Sequence, residues 1–261
     1  VHVNVSSEYP ASSAYTQVKN ARTNYFKGPH PAGNSSVHIQ RIDPINKGEV
    51  VWVINPQDVI IIGRLFNKGI YDASKIVALT GSEVLNPRYY RVIAGTSLKS
   101  IVDGNIQKSE LRFISGNPLT GTKVNHSGYL GYYDAQISVI PEGKHSEFLG
   151  WALPGFNKYS FYRLFWSWLT PSKKYTLDTN LNGGQRAFVL TGMYEKVFPF
   201  DIYPMQLLKA IIAEDIDDME RLGIYEVVEE DFALCEFIDA SKTEMQALIR
   251  KGMDIMKKEM S

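Results

Sequence analysis

The sequence predicts an α/β plus α+β protein built in three parts. Three observations carry this. Residues 76–119 read as strand, strand, short helix, strand, the make-up of a small β-grasp unit. Ahead of that unit, residues 1–73 alternate strand-like and helix-like apolar patterns. From residue 191 onward the strand signals give way to helix starts, caps and apolar stripes at helical spacing.

In the first part, Val1, Val3 and Val5 alternate with polar residues and predict a strand. Residues 6–22 read as loop with one helical turn. Gly28-Pro29-His30-Pro31-Ala32-Gly33 holds two prolines and two glycines, which excludes regular structure and predicts a tight, pre-shaped loop. Beyond it, Val37, Ile39 and Ile42 leave helix and strand both open. Glu49 to Ile54 predicts a strand buried on two faces through Val50, Val51, Val53 and Ile54. Asn55 or Asp58 then caps a helix from Val59 to Lys68, with Ile60, Ile61, Leu65 and Phe66 on its apolar face and Gly69 as its stop.

The second part, 74–190, opens on a strand from Ile76 to Leu79 that ends at Thr80-Gly81. Asn86-Pro87 turns the chain into a strand through Tyr89, Arg91 and Ile93. Gly95-Thr96-Ser97 starts a short helix with Leu98, Ile101 and Val102 on one face, and Leu111 to Ile114 is a third strand. Thr120 to Gly131 is loop-like. Gln136 to Ile140 alternates as a strand, and Glu147 to Leu153 is expected to pair with it. After Gly183-Gly184-Gln185-Arg186, a strand runs from Ala187 to Leu190.

The third part, 191–261, is helical. Asp201 and Pro204 start a helix with Leu207, Leu208, Ile211 and Ile212 on one side. Asp215 to Leu222 forms a second helix ending at Gly223, and Glu229 to Phe237 a third with acids at its N-terminus. Ser241 and Glu244 have capping-box spacing, and Met245, Leu248, Ile249 and Met256 line the last helix.

Composition narrows the function. The formal net charge is +0 over 261 residues, so nothing marks a nucleic-acid or anionic-lipid partner at the level of the whole chain. One cysteine excludes an internal disulfide and any cysteine-built zinc or iron–sulfur site. The five histidines lack metal-ligand spacing, and neither a P-loop nor a nucleophile elbow is present. No apolar run has the length to span a bilayer.

Several stretches carry a resemblance. VALTGSEVLNPRYYRVIAGTSLKSIV looks like the ligand-binding β-grasp module of bacterial electron-transport complexes. Upstream FKGPHPAGNSSVHI and VINPQDVIIIGRLF, with downstream GMYEKVFPFDIYPMQLLKAII and EEDFALCEF, resemble the A-subunit family of Na⁺-translocating NADH:quinone reductases, colinearly over residues 28–258. That family is similar in turn to the C subunit of the Rnf complex and the NADH-binding subunit of complex I. The resemblance implies a partial Rossmann-like domain over 1–73, a β-grasp (ubiquitin-like) domain with a β-rich extension over 74–190, and a helical, ferredoxin-like scaffold without clusters over 191–261. It also implies a further N-terminal half in family members, so this sequence is read as starting inside a domain. The expected role is a peripheral subunit on the quinone-reducing side of the complex, at the cytoplasmic face of the inner membrane. No cofactor is expected in this part of the subunit; quinone is a ligand expected of the full subunit, and the other subunits of the complex, membrane subunits included, are the expected partners. By itself this part is expected to be inactive. The alternative is a purely structural assembly subunit with decayed nucleotide and iron–sulfur sites.

Three sets of site residues follow. Gly28, His30 and Gly33 mark the loop that in the relatives carries a nucleotide or flavin. Here it lacks the G-x-G-x-x-G spacing, and Asn34 stands where the Rnf-type pattern has an acid, so a vestigial site is expected. The ferredoxin cysteine ladder of the Rnf subunit falls on Met193, Lys196, Pro199 and Tyr203 and on Glu229, Phe232, Cys235 and Asp239; Phe232 and Tyr203 are expected to fill the space, with Cys235 a buried small hydrophobe. Phe165, Trp166 and Trp168 lie in an aromatic run, 159–169, that either packs on the β-grasp core or forms an interface. The run lacks a Lys/Arg-rich polar face, which favours a protein partner over lipid.

Overall fold

In the computed structural model, residues 1–9, 11–107, 110–144, 147–188 and 192–260 are described. Strand β1 (His2–Ser6) pairs in parallel with β2 (Arg22–Phe26), Val3 opposite Thr23 and Val5 opposite Tyr25. A short helix, α1 (Ser13–Thr16), lies between them, capped by the Ser12 hydroxyl. Helix α2 (Ser35–Ile42) follows the Pro/Gly loop and resolves the open choice after Gly33; Val37 is its buried residue. Strand β2 is not legible in the pattern, because Arg22 and Asn24 interrupt its apolar alternation.

The strand expected over Glu49–Ile54 is absent. Residues 50–54 carry no strand pairing, and Trp52 is 87% exposed. A strand buried on two faces needs a neighbour on each edge and a layer on each side, and the β1–β2 pair is not extended to it.

Helix α3 (Pro56–Lys68) starts with Pro56 at its first position and stops at Gly69, whose left-handed backbone (φ 65°, ψ 15°) suits glycine. Its orientation reverses the expectation. Ile61 is buried and Gln57, Asp58 and Arg64 are partly buried, while Ile60, Leu65 and Phe66 face outward. The polar side is matched by specific partners. The Gln57 carboxamide donates to the Ile76 carbonyl at 2.9 Å and accepts the Ile76 N–H at 2.7 Å, standing in for a paired strand residue. Arg64 pairs with Asp72 at 2.9 Å.

Five strands form the central sheet, in the order β4-β3-β7-β5-β6. They are β3 (Ser74–Thr80), β4 (Arg88–Ile93), β5 (Leu111–Ser115), β6 (Thr122–Val124) and β7 (Gln136–Pro141), with helix α4 (Lys99–Val102) between β4 and β5. Only the β3–β7 pairing is parallel. Period two turns Val77 and Leu79 into a core shared with Leu98, Val102, Ile137 and Val139, all fully buried. The same period buries Lys75; its ammonium escapes an unpaired fate by donating to the Tyr132 carbonyl at 2.6 Å, with Asp58 at 3.9 Å. Strand β6 lies in the stretch read as loop. Glu147–Leu153 is no strand: it is turn with exposed side chains, because apolar residues without alternation give no face to bury.

Helices α5 (Pro204–Ala213), α6 (Ile216–Arg221), α7 (Ala233–Ile238) and α8 (Met245–Glu259) follow. Leu207, Leu208 and Ile211 of α5 are buried, whereas Ile212 is half-exposed. Gly252 of α8 faces Ile211 so closely that a Cβ would stand 2.8 Å from it. Residues 229–232 form a 3₁₀ turn ahead of α7. The capping box expected at Ser241 does not form. The Ser241 hydroxyl donates to the Ala187 carbonyl, and the first turn of α8 is met instead by Glu236, which accepts the Gln246 N–H at 3.0 Å. Of the strand expected over 187–190, Ala187 and Phe188 are not in a strand, and Val189 and Leu190 lie outside the described residues.

Contacts divide the chain into two compact units, residues 1–53 with 185–261, and residues 54–184. The partition differs from a three-part reading in joining 54–73 to the sheet and 185–261 to the first residues.

Candidate functional site

The Gly28–Gly33 loop is braced from below by a residue that the sequence pattern does not single out. His38, on the first turns of α2, bonds through Nε2 to the Ala32 carbonyl at 3.0 Å and lies against Phe26, ring centroids 4.1 Å apart. Burial holds the His38 imidazole below its ordinary pKa. His30 is exposed. Gly28 has a left-handed backbone (φ 147°), and a Cβ there would meet that of Ala32 at 3.2 Å, so this glycine serves the turn. Gly33 has open space around it and an ordinary φ.

What stands at the N-terminus of α2 is decisive for this loop. The Ser36 hydroxyl, at the second helical position, donates to Asp231 Oδ1 at 2.5 Å. The other oxygen of Asp231 accepts the Val228 N–H at 2.8 Å. A helix N-terminus attracts an anion; here the chain's own buried carboxylate takes that role. A phosphate brought to the same helix end would meet a like charge. Asn34, the N-cap, is buried and makes no side-chain capping bond. Below the glycine loop the Ser36 hydroxyl and the His38 ring are matched within the chain, whereas the Asn34 Nδ2 is buried without a hydrogen-bond partner.

Burial pushes the Asp231 carboxyl up to about 6, against the Ser36 and Val228 hydrogen bonds, which favour the charged form. Its folded pKa lies above the unfolded one, so the native state holds the extra proton between them. The contribution present below about pH 4 is therefore lost as pH rises through about 6. We expect wild-type stability to fall by about 2 kcal/mol relative to D231N between about pH 4 and about pH 6.5. Urea titrations of both proteins across that range measure it; parallel pH profiles would refute it.

The positions of the cysteine ladder are filled, and not quite as expected. Phe232 is fully buried against Phe198, centroids 4.7 Å apart, whereas Tyr203 is 65% exposed and fills nothing. Its place in the ladder suggests a core position, but Tyr203 is the N-cap of α5, where the chain enters the helix from outside. Cys235 is fully buried, and burial drives its thiol up to about 12, a thiol and not a thiolate ligand. Asp239 accepts three hydrogen bonds: the Tyr194 hydroxyl at 2.8 Å, the Ser241 N–H at 2.9 Å and the Thr243 N–H at 2.7 Å. These residues do not fit an iron–sulfur cluster. Among the described residues no group of three or more His, Cys, Asp and Glu side chains is placed to hold a metal ion.

Asp231, Asp239 and Tyr194 are polar hubs that local pattern does not reveal. A faint signal exists: Asp239 follows the apolar run of α7, where a solvated acid is out of place.

The aromatic run 159–169 is neither strand nor hairpin. It sits in a long loop whose neck closes on the end of β7: Gly143 N–H donates to Thr179 Oγ1 at 2.9 Å, and Thr179 donates to Glu142 at 3.1 Å. The Arg112 guanidinium, bidentate on Glu142, holds that carboxyl down at about 2. Trp166–Leu169 forms a 3₁₀ turn. Trp166 and Trp168 are 58% and 52% exposed, while Phe165 is partly buried beside Gly155 and Lys158.

Two sheet-and-helix units, the first with Asp231 and Asp239 committed to internal hydroxyls and N–H groups, define a mixed α/β protein. Among the described residues no helix is long and apolar enough to cross a membrane. The family model described as "NqrA second alpha/beta domain" matches residues 1–71, and "NQRA C-terminal domain" matches residues 76–126. The chain is 43% identical over 250 residues to the A subunit of the Na(+)-translocating NADH-quinone reductase of Pasteurella multocida, covering 95% of this chain and 56% of that one. To the same-named subunits of Rhodopirellula baltica and Hahella chejuensis it is 43% and 42% identical, over 90% and 92% of this chain and 52% and 54% of theirs. The chain therefore belongs to the A-subunit family of the Na⁺-translocating NADH:quinone reductases. It spans about half the length of these curated relatives.

Proposed function

We propose that the chain works as part of a Na⁺-translocating NADH:quinone reductase, as a peripheral subunit on the quinone-reducing side at the cytoplasmic face of the membrane. The observation that carries this is the colinear pair of matched domains within a 250-residue match to an A subunit of that enzyme. On this reading, residues 1–73 are part of a Rossmann-like domain, 74–190 hold a β-grasp domain whose expected β-rich extension is a long loop among the described residues, and 191–261 are a ferredoxin-like scaffold. The chain contributes no redox centre of its own; electrons pass through other subunits, and these residues position the partners. Quinone is a ligand of the full subunit, and this part by itself turns over nothing.

The reading of a purely structural assembly subunit is favoured by two observations: Asp231 lies at the helix end where a nucleotide phosphate would bind, and Phe232, Cys235 and Asp239 fill the cluster ladder.

The test is an exchange. The matching segment of the P. multocida A subunit is replaced by this chain, and membranes are assayed for Na⁺-stimulated NADH:quinone reduction. We expect assembly and activity to be retained. A folded chimera that fails to co-purify with the other subunits would sink the proposal. Titration of the chimera and of this chain with quinone by calorimetry separates a quinone-side role from a purely structural one.

A further inference from the structure

Residues 148–177 differ in chemistry from the rest of the chain. They hold ten of its aromatic residues and four cations, Lys158, Arg163, Lys173 and Lys174, and no aspartate or glutamate, while acids outnumber bases in the rest of the chain. They lie within the loop that closes at its neck through Thr179 and Gly143, where Glu147 and Asp178 flank the stretch and Glu147 takes Lys158 as its partner. Its apolar side chains point outward: Phe148 is 90% exposed, Trp151 80%, Leu164 72% and Leu169 58%, beside the half-exposed Trp166 and Trp168.

The loop is braced from within. The buried Ser167 hydroxyl donates to the Lys158 carbonyl, the Tyr175 hydroxyl donates to the Ser167 carbonyl at 3.2 Å, and the Trp166 N–H donates to the Pro154 carbonyl at 2.9 Å. The indoles are therefore presented by an ordered backbone, and little ordering entropy remains to be lost on contact.

We infer that this loop is a membrane-interface anchor, seated among the headgroups of an anionic bilayer. Trp, Tyr and Phe favour that depth, and cations beside them gain from the negative surface. A surplus of cations over acids, with Arg163, Lys173 and Lys174 exposed, is what an anionic surface requires. A protein interface has a different signature, with lysine depleted; here Lys173 and Lys174 stand exposed next to the aromatic turn. The absence of a basic stripe within residues 159–169 argues against lipid only while the run is taken alone. Arg163 lies within it and Lys158, Lys173 and Lys174 on its flanks, which the loop's closure makes part of one body. The inference rests on the loop's chemistry and stands apart from the proposed role in a reductase.

Co-sedimentation of the full chain with vesicles tests it, using phosphatidylcholine alone and phosphatidylcholine with roughly a third phosphatidylglycerol. We expect binding to the anionic vesicles, weakened by high salt, with a blue shift of tryptophan emission. R163Q/K174Q removes two exposed cations and should weaken binding roughly 25-fold while leaving the fold untouched. W166A/W168A should lower binding by at least about ten-fold, with circular dichroism confirming that the chain is folded. Failure to sediment with anionic vesicles overturns the inference, as does equal binding by wild type and R163Q/K174Q. Binding to purified membrane subunits without binding to vesicles would assign the loop to a protein interface and overturn it equally.

Discussion

Replacing Asp239 by alanine lowers stability by about 4 kcal/mol, because three donors, two of them buried, lose their shared acceptor at once. Tyr194 is fully buried, so its hydroxyl has no water to turn to when the carboxylate is gone. The Ser241 and Thr243 N–H groups lie in the turn that leads into α8, where Asp239 sets the path of the chain. D239N keeps one carbonyl oxygen and should cost about half as much, and Y194F, which deletes the donor and leaves the two backbone bonds, about 1 kcal/mol. The graded order is the signature of a hydrogen-bond hub. Urea unfolding followed by far-ultraviolet circular dichroism measures all three, and a D239A chain within about 1 kcal/mol of wild type would show the hub to be dispensable.

Gly81→Ala is expected to cost about as much, roughly 4 kcal/mol, from backbone strain and overlap together. Gly81 ends β3 with φ 122°, a conformation side chains rarely adopt. An added Cβ would stand 2.0 Å from the Val139 carbonyl oxygen and 2.6 Å from its nitrogen. Neither is the end of a flexible side chain: Val139 is a fully buried residue of β7, hydrogen-bonded into the sheet between β3 and β5. Relief would require β3 and β7 to separate at their only parallel pairing. Gly33→Ala is the control, in open space at an ordinary φ, and should change stability by less than about 0.5 kcal/mol. Thermal and urea unfolding of both variants give the comparison. Equal, small effects would mean that the β3–β7 junction yields where the packing says it does not.

The sequence by itself determined the local features. The β3-β4-α4-β5 succession, the stop of α3 at Gly69 and the helices after Pro204 all follow from side chains acting on their own backbone within a few residues. The loss of the cluster thiolates was equally legible, because a missing cysteine needs no fold to be missing. Tertiary structure decided what depends on partners distant in sequence. Periodicity showed that α3 has an apolar side, but only the Gln57 and Arg64 partners turned the polar side inward. An unbroken apolar run made Glu49–Ile54 a strand on paper, and no neighbouring strand pairs with it. Ser36 and Asp231, 195 residues apart, show the reason most directly. Spacing within a segment reports which faces exist; whether a buried carboxylate has a donor opposite it is settled only where the folded chain brings the two together.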